Sequence, residues 1–169
     1  MKSIFIGTRY EAFKVLEHYS KIQSVVTVKK SFVDKFIDKK IYKTKYVNLI
    51  NKKKIFQFIK NSNVDLILSS GFPFIIPKEF LNKKIKIINS HPSLLPKYKG
   101  YSPIKDAILN NEKQIGVTVH YMNDKVDDGE IISVKKISIK NYQNIDIIYK
   151  KIFSIIEPQA IKTALERIL

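Results

Sequence analysis

The chain has 169 residues, of which 44% are hydrophobic, and it contains no cysteine. This length and composition are typical of one globular domain, so we predict a single domain over residues 1–169. The lack of cysteine excludes disulfides and thiolate metal sites, and we expect no metal. No apolar run approaches the roughly 20 residues of a membrane-spanning helix, and the start of the chain lacks a signal-peptide pattern. These features favour a cytoplasmic protein without membrane contact.

The chain is strongly basic, with 31 Lys and Arg residues against 15 Asp and Glu residues, a formal net charge of +16. One interpretation is an anionic partner such as nucleic acid or a phosphorylated substrate. The other is a solvated, lysine-rich surface, since the lysines are scattered along the chain and Arg9 and Arg167 are its arginines. The scatter favours the solvated surface.

The first part of the chain alternates predicted strands and helices. Thr8 and Glu11 have the spacing of a capping box, which predicts a helix through about His18. The predicted elements are strands over residues 2–6 and 24–28 and two polar helices within residues 31–61.

The second part begins with two continuous apolar runs, a pattern typical of strands buried on both faces. They cover residues 64–70 and 85–90. Serine followed by proline at 102–103 predicts a helix start. Further strands are predicted over 116–122 and 130–139, and a helix from Asn144 interrupted at Pro158. This alternation predicts an α/β fold, a Rossmann-like, mostly parallel sheet with helices on both faces.

Three unusual segments each follow a predicted strand: "SSGFPF", "NSHPSLLP" and "NDKVDDG". In open parallel sheets, ligands bind beyond the carboxyl ends of the strands. We therefore expect these segments to open onto one edge of the sheet.

Asn89 and His91 stand two residues apart at the end of a predicted strand, so they project to the same face. Pro92 favours extended geometry at His91, which maintains that pairing. An amide can donate to a developing oxyanion, and an imidazole can move a proton near neutral pH. The group that orients the imidazole has three candidates in the acidic loop: Asp124, Asp127 and Asp128.

The run "NSHPSLLPKYKG", followed by "SPI" and then "GVTVHYMNDKVDDGEII", resembles the catalytic core of the folate-dependent formyltransferases. This superfamily includes glycinamide ribonucleotide, methionyl-tRNA and sugar N-formyltransferases. The resemblance covers residues 64–135 well and Gly7–Leu16 loosely. It implies the formyltransferase fold, one-carbon transfer and 10-formyltetrahydrofolate as the formyl donor.

The resemblance assigns the catalytic residues to Asn89, His91 and Asp127. Asn89 would hold the oxyanion, and His91 would either share that work as an imidazolium or move the proton. Asp127 would raise the basicity of His91, although Asp128 departs from the small or hydroxyl residue of many relatives. By the same resemblance, the Leu95–Pro96 bond is cis.

The resemblance also implies a pterin site formed by backbone groups near Phe74, Ile75, Ile76, Lys125 and Val126. His120 matches a histidine of many relatives and is expected in a supporting or packing role, while His18 is expected on an exposed helix face. Thr8 and Arg9 either bind an acceptor phosphate or only cap the helix.

The acceptor amine is left open by the shared core. The segments "HPSLLPKYKG" and "GVTVHYM" closely resemble those of the sugar N-formyltransferases. This resemblance favours a small-molecule amine as acceptor, namely an amino sugar on a nucleotide. The alternatives are methionyl-tRNA, glycinamide ribonucleotide, and a folate-binding remnant without turnover. A formate-releasing hydrolase and a basic RNA-binding module are weaker readings. The oligomeric state is open, a dimer included, and a partner subunit could supply acceptor contacts.

Overall fold

The computed structural model describes residues 1–82, 84–140 and 144–169. Short turns of 3₁₀-helix (Lys78–Phe80) and π-helix (Ile152–Ile156) accompany the regular elements. Those elements are, in chain order, β1 (Lys2–Gly7), α1 (Tyr10–Tyr19), β2 (Lys21–Thr27), α2 (Phe32–Phe36), β3 (Lys43–Tyr46), α3 (Lys52–Lys60), β4 (Leu66–Ser70), β5 (Lys86–His91), α4 (Pro103–Leu109), β6 (Gln114–Tyr121), β7 (Ile131–Ser138), α5 (Ile145–Lys151) and α6 (Glu157–Ile168).

The described strands form a sheet in the order β3-β2-β1-β4-β5-β6-β7. β1 pairs in parallel with β2 and β4, β2 pairs in parallel with β3, and β7 is antiparallel to β6. The predicted α/β class with a mostly parallel sheet is therefore confirmed. No helix in the described residues is both long and apolar enough to cross a bilayer.

The chain divides into two compact units, Met1–Asn89 and Ser90–Leu169. In the first unit, β1 and β4 are almost entirely buried, as their apolar runs predict. Helix α1 buries Ala12, Phe13 and Leu16 at helical spacing. Phe13 packs edge-to-face on Phe5 of β1, with ring centroids 5.8 Å apart.

The predicted capping box at Thr8 is wrong. Helix α1 begins at Tyr10, and no side chain caps its first turn. The Thr8 hydroxyl instead donates to the Gly71 carbonyl at 3.0 Å, which ties the end of β1 to the residue after β4. Gly7, with φ of +144°, lies so close to β4 that a Cβ would stand 1.8 Å from the Ser70 carbonyl oxygen.

Residues 31–61 contain the two predicted helices, α2 and α3, but also a strand that the prediction missed. Strand β3 pairs in parallel with β2, with Lys45 opposite Val26. Its sequence, "KTKY", is short and polar, and none of its residues is fully buried. The hydrophobic alternation that identifies a strand is therefore absent.

In the second unit, β6 and β7 form an antiparallel pair against which α6 packs. The predicted start of α4 at Pro103 is confirmed, although the Ser102 hydroxyl does not cap it. The interruption predicted at Pro158 lies just before it: the π-helical turn Ile152–Ile156 directly precedes α6, and Pro158 is in the first turn of α6. Proline has no N–H and clashes with the preceding turn, which explains the break in α-helical hydrogen bonding.

Candidate active site

The site is built on the end of strand β5, which runs into "NSH" at Asn89, Ser90 and His91. Asn89 is partly exposed, whereas Ser90 and His91 are buried. Successive residues of a strand alternate between its faces, so Ser90 points away from the face that carries Asn89 and His91.

Both ring nitrogens of His91 face oxygen acceptors. Nε2 lies 2.8 Å from the Tyr98 carbonyl oxygen, which can only accept, so Nε2 carries a proton. Nδ1 lies 3.3 Å from Oδ2 of Asp127. Burial lowers the pKa of His91 below its ordinary value, although the Tyr98 carbonyl and the Asp127 carboxylate favour the charged form. The imidazole is therefore mainly neutral near pH 7.

Asp127 lies between two imidazoles. Its Oδ2 accepts from the Gly100 N–H at 2.9 Å, and its Oδ1 lies 3.4 Å from Nε2 of His120. Burial works to raise the pKa of Asp127. Hydrogen bonds from His120 and the Gly100 N–H, together with the positive charge that His91 carries when it is protonated, outweigh burial and hold that pKa below its ordinary value. Asp127 is therefore a carboxylate at neutral pH.

Asp128 points to a different set of partners. Its carboxylate pairs with the Lys99 ammonium and lies 3.9 Å from Nζ of Lys125. All three residues are exposed, which weakens their pairing. Of the two neighbouring aspartates, the geometry therefore makes Asp127 the partner of His91.

For His120, a supporting or a packing role was expected, and its contact with Asp127 fits the supporting role. Its side chain is 2% exposed, and Nδ1 donates to the Tyr121 carbonyl oxygen at 2.9 Å. That leaves Nε2 directed at Asp127. A histidine inside the apolar strand "GVTVHYM" was the available signal, since a buried imidazole needs a polar partner.

Sequence reasoning missed Thr118 of β6, a buried residue that fixes the loop after His91. Its hydroxyl donates to the Ser93 carbonyl at 2.7 Å and accepts from the Leu95 N–H at 3.2 Å. The predicted cis peptide between Leu95 and Pro96 is confirmed in this loop. A threonine in a β-strand is common, so its sequence carried no signal of this contact.

The residues predicted to contact the pterin lie in both units, and their role remains a prediction. In the first unit, Phe74 is partly exposed, Ile75 is exposed and Ile76 is buried. In the second unit, Lys125 and Val126 are exposed and directly precede Asp127. Among the described residues, no group of three or more His, Asp or Glu side chains is placed to hold a metal ion.

Residues 11–165, most of the chain, match the family model described as formyl transferase. The chain belongs to the formyl transferase family. The methionyl-tRNA formyltransferase of Ehrlichia ruminantium (strain Gardel) is 44% identical over 95 residues, which cover 56% of this chain and 31% of that protein. The Borreliella burgdorferi (strain ZS7) methionyl-tRNA formyltransferase is 40% identical over 121 residues, covering 71% of this chain and 38% of that protein. This chain thus aligns with about a third of each of these relatives.

Solved structures share the fold across nearly the whole chain. Phosphoribosylglycinamide formyltransferase from Bacillus halodurans superposes with a TM-score of 0.84 at 19% identity, covering 98% of this chain and 94% of that one. The enzyme of that name from Campylobacter jejuni gives a TM-score of 0.73 at 27% identity, with 98% and 96% covered. These matches identify the fold as that of formyltransferases.

Proposed function

We propose that this formyltransferase moves a formyl group from 10-formyltetrahydrofolate to a primary amine, with Asn89, His91 and Asp127 as its catalytic residues. The observation that carries the proposal is the contact between buried His91 and Asp127, in a chain of this family. His91 stands two residues after Asn89 at the end of β5.

In the proposed reaction, the acceptor nitrogen attacks the formyl carbon and a C–N bond forms. The carbonyl oxygen becomes an oxyanion, to which the Asn89 amide N–H donates. The amine loses a proton, the bond from the formyl carbon to N10 of the folate breaks, and N10 leaves with a proton. The products are the formylated amine and tetrahydrofolate.

His91 suits the role of proton carrier because its lowered pKa leaves it mainly neutral at physiological pH. On taking up the proton of the acceptor amine, the ring would become an imidazolium. Asp127 stays ionised, and its Oδ2, which faces Nδ1 of His91, stabilises that positive charge. Of the two roles weighed for His91, the lowered pKa favours proton movement, whereas oxygen acceptors at both ring nitrogens favour a standing positive charge; we propose proton movement.

We propose methionyl-tRNA as the first acceptor to test. The sequence relatives named methionyl-tRNA formyltransferase are 40–44% identical, whereas the structures named phosphoribosylglycinamide formyltransferase are 19–27% identical. A net charge of +16 also suits a polyanionic acceptor. The nucleotide-linked amino sugar stays a prediction, and glycinamide ribonucleotide is the third candidate.

The experiment follows tetrahydrofolate release from 10-formyltetrahydrofolate with each of the three acceptors. Asn89→Ala, His91→Ala and Asp127→Ala should each lower turnover by about 10²-fold or more, as for lost oxyanion or acid–base groups. His18→Ala and Asp146→Ala, at exposed positions, are the matched controls and should retain full rate. Full turnover in the three site variants would overturn the proposed mechanism.

A further inference from the structure

A buried hydrogen bond connects the end of β5 to the start of α6. Ser90, the residue between Asn89 and His91, is 3% exposed, and Glu157 is 1% exposed. The Ser90 hydroxyl donates to Oε1 of Glu157 at 2.6 Å, across 67 residues of sequence. Neither residue has a role in the proposed mechanism.

The location of Glu157 suits a residue that holds Ser90 in a fixed position. It is the first residue of α6, directly after the π-helical turn Ile152–Ile156 and directly before Pro158. π-Helical turns in helices occur frequently at functional sites. A buried carboxyl group is costly unless it is hydrogen-bonded, and Ser90 supplies such a bond.

We propose that Ser90 and Glu157 are positioning residues that hold the end of β5 so that Asn89 and His91 keep their catalytic orientation. Successive side chains of a strand point to opposite faces, so Ser90 lies on the face opposite to Asn89 and His91. The Ser90–Glu157 bond therefore holds the strand without contacting the reacting groups. The proposal rests on the proposed function. Small displacements of reacting groups are costly: about 1 Å can change a rate by 10²-fold.

The same helix offers a matched control for an ordinary packing bond. Ser133 of β7, 2% exposed, donates to the Ala160 carbonyl of α6, also at 2.6 Å. Both serines are buried, both are in strands and both bond to α6. Ser90→Ala also takes a hydrogen bond from a buried carboxyl group, so it should cost more unfolding free energy than Ser133→Ala, and both variants are compared under conditions in which they are folded. The two serines differ in their neighbours, since Ser90 lies between Asn89 and His91 and Ser133 does not.

The first test compares kinetics. Ser90→Ala should lower kcat about tenfold with KM for both substrates unchanged, whereas Ser133→Ala should retain kcat. Glu157→Gln keeps a side-chain carbonyl oxygen as acceptor and should stay near wild type, while Glu157→Ala should lower kcat in the same direction as Ser90→Ala. The double variant of Ser90→Ala and Glu157→Ala should lower kcat by less than the product of the two single effects, because both remove the same bond.

The second test does not depend on turnover. The chain has three histidines, so the ring signals of His91 can be assigned in ¹⁵N-histidine NMR spectra by their loss in His91→Asn. Ser90→Ala should shift the His91 signals and their titration midpoint, and Ser133→Ala should leave them in place. If the wild type transfers no formyl group, the proposed function fails, but this comparison still shows whether the Ser90–Glu157 bond positions His91.

Two results would overturn the inference. If Ser90→Ala behaves as Ser133→Ala in both kcat and the His91 signals, the bond serves only stability. If Glu157→Gln raises KM for the acceptor at constant kcat, Glu157 contacts substrate and is no positioning residue.

Discussion

At the residue scale, the feature that organises the site is a single carboxylate shared by two imidazoles. Asp127 lies 3.3 Å from Nδ1 of His91 and 3.4 Å from Nε2 of His120. Because Nδ1 of His120 donates to the Tyr121 carbonyl, the ring is fixed in orientation with Nε2 facing Asp127. His91 is thus the group of the three whose protonation state is coupled to the proposed reaction.

The pH dependence of kcat/KM should report the neutral form of His91. Burial lowers its pKa from the ordinary value of about 6.5, so the rate should be level near pH 7 and fall only as the pH drops through that lowered pKa. Asp127→Asn removes a charge that favours the imidazolium, so the acidic limb should move to still lower pH while the overall rate falls. A rate that falls as the pH rises through this range would show that the imidazolium is the active form.

At the element scale, the β6–β7 connection that carries Asp127 depends on a glycine. A Cβ on Gly129 would lie 1.7 Å from the Tyr121 carbonyl oxygen and 3.4 Å from Nδ1 of His120. The close backbone approach therefore maintains the position of both the strand end and the histidine that contacts Asp127.

Gly129→Ala should destabilise the protein and lower turnover together, since the loop must move to relieve the clash with backbone. Gly100→Ala is the control: its φ of +84° is strained for alanine, but its Cβ meets no atom within 4 Å. The expected cost at Gly100 is about 1–3 kcal/mol from backbone strain alone. Urea unfolding should show a larger loss for Gly129→Ala, and an equal loss would contradict the steric explanation.

Asp34 links α2 to the short strand β3. Its carboxylate accepts from the Tyr46 hydroxyl at 2.8 Å and the Lys30 N–H at 2.7 Å, and pairs with Lys39 at 2.8 Å. The Lys39 ammonium, followed by the Lys30 N–H and the Tyr46 hydroxyl, lowers the pKa of Asp34 to about 2. Because the pKa is lower in the folded state, the charged carboxylate stabilises the fold at pH values above the unfolded-state pKa of about 3.8. This stabilisation is lost as the pH falls towards 2.

Asp34→Asn should therefore lower the free energy of unfolding at pH 7, and the gap to wild type should narrow as the pH falls below about 4. The measurement is urea unfolding at pH values from 3 to 7. Asp38→Asn, at an exposed aspartate just after α2, is the control and should give a much smaller loss of unfolding free energy at pH 7. A gap at Asp34 that is independent of pH would show that the contacts do not depend on its charge.

The outcome for this region shows what sequence reasoning can resolve. The strands with continuous apolar runs, such as β4, were placed within one or two residues, because burial on both faces imposes their composition. β3 was missed because polar residues at a sheet margin carry no such pattern. In the site, the N-x-H spacing and the family motif located His91. The family motif also assigned Asp127 rather than Asp128, whereas the residues alone left both open. The bond between Ser90 and Glu157 depends on a contact that only the folded chain shows.

At the scale of the whole molecule, the net charge of +16 bears on the choice of acceptor. Binding to a polyanion releases counterions, and each neutralised phosphate contributes roughly 0.7–0.9 to the slope of log affinity against log salt. A tRNA can engage several lysines at once, whereas a nucleotide-linked sugar presents few phosphates.

KM for methionyl-tRNA should therefore rise steeply between 50 and 200 mM salt, by about tenfold or more if several phosphates are neutralised. KM for a nucleotide-linked amino sugar should change much less, and KM for 10-formyltetrahydrofolate serves as an internal reference. Equal salt dependence for the two acceptors would show that the lysines are a solvated surface without a role in acceptor binding.

The strands at the two ends of the sheet order, β3 and β7, both carry lysines: Lys43 and Lys45 in one, Lys135 and Lys136 in the other. An edge strand offers backbone groups with which a second chain can pair, and this is a common route to aggregation. Lysines there repel an approaching copy, and a stretch as short as β3 gives it little length to pair with. The polar sequence that concealed β3 from prediction thus also hinders self-association at that margin.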